Sequence, residues 1–178
     1  MSSPEYERRY LEAAFDVLQD YLRSETLYWP LNIKQPRGEP PYPQLTPGNV
    51  LLFMRRLQAS EADTTFQQRL AELKTQWGAH WAKKAEREIQ ARLRQWEAYL
   101  QEPTERAPYY RYKVRERVIV QLLSEDLGDI PAAVASRVAQ ADHLLRQAFV
   151  PGPFVWESHL QPLFPEEAYW FLYGQIKD

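Results

Sequence analysis

The chain contains no cysteine, which excludes disulfide scaffolds, zinc ribbons and cysteine nucleophiles. Glycine is scarce as well: six residues, at positions 38, 48, 78, 128, 152 and 174. They never lie close enough for a P-loop, a dinucleotide fingerprint or a nucleophile elbow. Cradling phosphate with backbone amides usually draws on such clusters. Histidine occurs three times, at 80, 143 and 159. There is neither the Glu-x-x-His pair of helical di-iron proteins nor a His-Glu-x-x-His motif, so no metal ligand and no cofactor is expected. Glu157-Ser158-His159 holds residue types suited to hydrolysis, but neighbours in an extended segment point to opposite faces; no catalytic residue is put forward. Long apolar runs are missing too. Ala168 to Tyr173 falls far short of the ~20 residues that span a bilayer. The N-terminal stretch carries charges where a secretory signal has its apolar core. A cytoplasmic protein without a membrane partner is expected.

What the chain has in quantity is aromatic side chains (six Trp, eleven Tyr, seven Phe) and fourteen prolines. With 44% hydrophobic and 26% charged residues the composition is globular. A length of 178 residues predicts one helical domain, 1–178.

Ser3-Pro4 is a cap followed by proline at the first helical position. Leu11, Phe15, Leu18 and Leu22 then recur at helical spacing, predicting a helix over about 4–27. Residues 30–47 hold six prolines, too many for helix or central strand. They read as a strap over the helices, anchored by Tyr42 and Leu45, with a proline-rich recognition ligand as the alternative. Thr46-Pro47 repeats the cap and opens a helix to about Ala59. A capping box at Thr65–Gln68 introduces the longest helix, about 64–101. Its apolar positions run from Phe66 through Trp77, Trp81 and Ile89 to Trp96 and Leu100. The stripe drifts by about 160° over that length, so its two halves should face different partners, unlike a heptad seam. The spacing runs through Gly78 in phase and predicts a continuous helix, with a kink at Gly78 as the alternative.

Further helices are predicted over about 112–127, 131–149 and 165–176. The first of these is apolar over a wide arc and should be central, with Arg115 either snorkelling or buried beside a carboxylate. Alternation at Tyr110, Tyr112 and Val114, and again from Phe154 to Leu160, suggests a minor two-strand pairing of 109–114 with 154–160. The fold class is all-α: about six helices in a bundle around one long helix.

Charge is uneven. Residues 64–124 carry twelve basic and seven acidic side chains, residues 125–178 three and eight. The densest basic block interleaves Arg106, Arg111, Lys113 and Arg117 with Tyr109, Tyr110 and Tyr112, a pattern that can hold phosphates and stack bases. Lys83, Lys84 and Arg87 could extend it. Against this stand a net charge of −2 and a pI near 6.0. Trp and Tyr are enriched at protein interfaces, which marks Trp156, Trp170 and Tyr173 as an interaction surface. The leading expectation is a non-enzymatic interaction module or assembly subunit. Its partner is another protein or a second copy joined through the long helix. Nucleic-acid or other polyanion binding through 106–117 is the first alternative. A small-molecule-binding or hydrolytic enzyme without a recognisable motif is the second.

Overall fold

The computed structural model describes residues 3–177. The helices are α1 (Pro4–Arg23), α2 (Pro47–Gln58), α3 (Thr65–Leu100), α4 (Tyr110–Leu127), α5 (Ala132–Ala148) and α6 (Glu166–Tyr169). Strands β1 (Phe149–Phe154) and β2 (Tyr173–Ile176) pair antiparallel. The mostly helical fold, the long helix and the proline strap are all present. The chain forms two compact units that divide α3 between them, one ending at Glu88 and the other beginning at Ile89.

In the first unit, Ser3 caps α1 by accepting from the Tyr6 amide at 3.2 Å, with Pro4 at the first position. Thr46 does the same for α2 through the Asn49 amide at 3.1 Å. Leu11, Phe15, Leu18 and Leu22 of α1 are buried against Val50, Phe53 and Leu57 of α2 and Phe66, Leu70 and Trp81 of α3. The strap closes where Trp29 and Leu45 exchange backbone hydrogen bonds of 3.2 and 2.7 Å. Tyrosines of α1 hold it down. Tyr6 stacks on Tyr42 at 4.3 Å and donates to the Pro41 carbonyl, while Tyr10 donates to Gln44 and Tyr21 to Leu27. Fully buried Glu88 accepts from the Thr46 hydroxyl and the Gly48 amide, both at 2.6 Å. The carboxylate thereby satisfies one of the amides that a helix start leaves unpaired.

The second unit is built on the rest of α3, with Ile89, Leu93, Trp96 and Leu100 buried. Helix α4 is central in it: from Val114 to Ser124 no residue is exposed. Arg115 is half-buried there. Polar contacts join the helices: Arg92 pairs with Glu116 at 3.0 Å, and Arg137 with Glu97 at 2.9 Å.

Three expectations change. The pairing of 109–114 with 154–160 does not form. Strict alternation would place Tyr110 and Tyr112 on one face, yet Tyr110 is 1% and Tyr112 71% exposed, which is helical phase. Residues 158–163 form a 3-10 helix instead, and the strands are β1 and β2. Pro151 and Pro153 are tolerated because a two-stranded ribbon leaves each strand with an unpaired edge. Secondly, the terminal helix stops at Tyr169, continues as a 3-10 turn to Leu172 and gives way to β2. Gly174, at φ +153°, sits where a Cβ would lie 2.3 Å from the Val150 carbonyl oxygen. Thirdly, α3 breaks at Trp77 (φ −114°, ψ 16°), the residue before Gly78. No side chain from 71 to 80 is fully buried, so packing does not hold that stretch to ideal geometry. The start of α3 also differs in detail: the Asp63 carboxylate, not Thr65, accepts the first free amide, that of Thr65 at 2.9 Å.

Candidate functional site

The first turns of α4 carry most of the basic-aromatic block, and helical phase splits that block in two. Tyr110, Val114 and Arg117 share the inner face. Tyr110 donates to the Phe171 carbonyl at 2.6 Å, and burial pushes its phenol far above the usual tyrosine range. Arg117 is only 4% exposed. Its Nε and Nη2 grip Asp142 at 2.8 and 2.9 Å, and its guanidinium lies 4.4 Å over the Phe171 ring. Both residues bind the fold itself.

The outer face keeps the rest. Tyr109, the last residue of the 3-10 turn Ala107–Tyr109 that leads into α4, is 55% exposed, and Tyr112 in the first turn of α4 is 71% exposed. Arg111 and Lys113 beside them are exposed too. Arg106 is half-buried at the approach, donating to the Leu100 carbonyl at 2.8 Å while its own carbonyl accepts from Tyr99 at 2.7 Å. The structure thus brings Tyr109, Arg111, Tyr112 and Lys113 together at the surface.

Trp156, Trp170 and Tyr173 are each half-buried and engaged with neighbours. The Trp156 indole donates to the Arg111 carbonyl at 3.0 Å and meets Phe164 edge-on at 5.5 Å. Trp170 stands perpendicular to Phe149 at 5.2 Å, with the Arg146 guanidinium 3.7 Å from its centroid. Tyr173 donates to the Phe164 carbonyl at 2.7 Å, and burial raises its pKa. Such edge-to-face contacts each add about 0.5–1.5 kcal/mol beyond area burial. Trp156 braces the predicted basic turn from behind.

Charges buried on α3 depart from the sequence expectation: Lys84, expected to extend the basic surface, is 3% exposed, and Glu88 and Arg92, not singled out, are 0% and 5% exposed. The signal was present: they lie three, seven and eleven residues after Trp81, on the same helical face.

Among the described residues no three His, Cys, Asp or Glu side chains gather to hold a metal ion. No helix among them is long and apolar enough to cross a membrane. No family model, curated protein or solved structure matches the chain.

Proposed function

We propose that the protein is a non-enzymatic interaction module whose contact surface is the turn from Tyr109 to Lys113, and that it takes an acidic partner protein. The observation that carries this reading is the pair of exposed rings, Tyr109 and Tyr112, at the start of α4 beside exposed Arg111 and Lys113. Tyr and Arg are the residue types that anchor interfaces. Two cations flanking two rings complement carboxylates and apolar contacts on an opposing surface. Trp156 supports the reading by fixing the turn, which lowers the ordering cost of binding.

The same two rings favour a second reading, stacking on single-stranded nucleic acid. Phosphate tracking draws on many cations. With Arg117 committed to Asp142 and Arg106 bonded to a backbone carbonyl, few remain exposed on this face. The protein partner is therefore preferred.

Photo-crosslinking from position 112 in native lysate, with position 140 as control, separates these outcomes. The expected result is a protein adduct at 112 that weakens with salt and vanishes in Arg111→Ala/Lys113→Ala. Nucleic-acid adducts would establish the second reading. A doubled mass by light scattering would identify a second copy as the partner. Equal labelling from both positions would overturn the assignment of this surface.

A further inference from the structure

We propose that a cleft in the first unit, between the C-terminal end of α1 and residues 79–87 of α3, binds a small phosphate monoester. The cleft encloses about 280 Å³ and is lined by Arg23, Lys83, Lys84 and Arg87, with His80 and a single carboxylate, Glu25. Small-molecule pockets start near ~300 Å³, so the ligand is compact: a phosphate on a scaffold of a few carbons.

Two of the four cations already serve the end of α1. Lys84 donates to the Thr26 carbonyl and, at 3.3 Å, to the Ser24 hydroxyl, while Arg87 donates to the Glu25 carbonyl at 2.9 Å. Lys84 and Arg87 are thus bonded to carbonyls of the turn that follows α1, and Arg23 and Lys83 are left over. Neither makes an ion pair with any described residue. Lys84 is 3% exposed, with its ammonium 4.3 Å from the Tyr21 ring and no carboxylate in contact. Burial first, then the Arg87 charge, lower its pKa; Glu25 acts the other way, and Lys83 adds a smaller lowering. Four cations held together with one exposed carboxylate repel each other, and a dianion placed among them relieves that repulsion. Charge-assisted hydrogen bonds from Arg23 and Lys83 would supply specificity for phosphate oxygens.

Calorimetric titration of the full chain with glycerol phosphate, inorganic phosphate and glycerol tests the site. Glycerol phosphate should bind saturably with Kd below about 1 mM, and glycerol should not bind. Arg23→Ala and Lys83→Ala should each weaken binding about tenfold or more, as expected for one lost charge-assisted bond. Glu25→Gln should tighten it and Lys34→Ala leave it unchanged. Unaltered melting temperatures of the unliganded variants would show that the fold persists. Inorganic phosphate binding as tightly, with the same dependence on Arg23 and Lys83, would overturn the monoester in favour of free phosphate as the ligand. Saturation by neither probe, or binding indifferent to Arg23, Lys83 and Glu25, would overturn the site itself.

Discussion

Tyr6 lays its ring on Tyr42 and its hydroxyl on the Pro41 carbonyl, so a single side chain both fills the core and pins the strap. Burial, reinforced by Tyr42 and Glu7, pushes its pKa from 10.0 up to about 12. Folded Tyr6 therefore keeps its proton where the unfolded residue loses it. The stability this contributes is whole below pH 10 and is lost as pH rises through about 12. A two-unit shift corresponds to roughly 2–3 kcal/mol. Urea unfolding followed from neutral to alkaline pH should show stability falling steeply above pH 10. The slope should be shallower in Tyr6→Phe, with Tyr110, shifted in the same direction, supplying the remainder. An unchanged slope in that variant would show that Tyr6 ionises freely in the folded chain. Tyr109, at the end of the turn before α4, and Tyr112, in its first turn, are exposed, whereas Tyr6 and Tyr110 are buried. That contrast is the physical basis for assigning a contact role to the first pair and a structural role to the second.

At the scale of elements, what was legible is what local chemistry decides. Ser3-Pro4 and Thr46-Pro47 announce helix starts because a hydroxyl acceptor and a fixed φ suit that position in any context. Leu11, Phe15, Leu18 and Leu22 recur every three or four residues because one face is buried. The exposed basic turn could likewise be located as a block, but its division into inner and outer halves needed the helical phase at Tyr110. The break at Trp77, present in the sequence only as an alternative kink at Gly78, and the pairing of β1 with β2 were not decided by the sequence, since tertiary surroundings settle both. Apolar spacing carries straight through Gly78, and nothing in it records that residues 71–80 lack a buried side chain. Gly152 and Pro153 read as breakers until β2 provides a partner. Gly78 and Gly174 predict opposite outcomes. Gly78→Ala meets open space and should stabilise by about 0.5–1 kcal/mol. Gly174→Ala combines φ +153° with a Cβ 2.3 Å from the Val150 oxygen and should cost more than about 2 kcal/mol. Chemical denaturation of both variants checks the signs. A neutral Gly174→Ala would mean that the β1–β2 pairing is not held as described.

At the scale of the whole molecule, the two units draw on separate sets of residues. The first core runs from Tyr6 to Trp81 and joins α1, α2 and the start of α3. The second gathers Trp96, Tyr110, Val118, Leu123 and Phe171, all at most 1% exposed. Helix α3 contributes to both, and its drifting apolar stripe is the sequence counterpart of that division. A cavity made in one core should loosen mainly its own unit, because opening energies follow contiguous cooperative segments. Leu18→Ala, at a fully buried position, should cost about 2–5 kcal/mol. Its effect on hydrogen exchange should concentrate in α1, α2 and residues 65–88. Amides of α4, from Val114 to Leu123, should keep their protection. The reciprocal variant Val118→Ala should spare α1 and release α4. If either substitution instead accelerates exchange evenly from α1 to α4, the two units fold as one cooperative body, with α3 transmitting the loss across the residue 88–89 boundary.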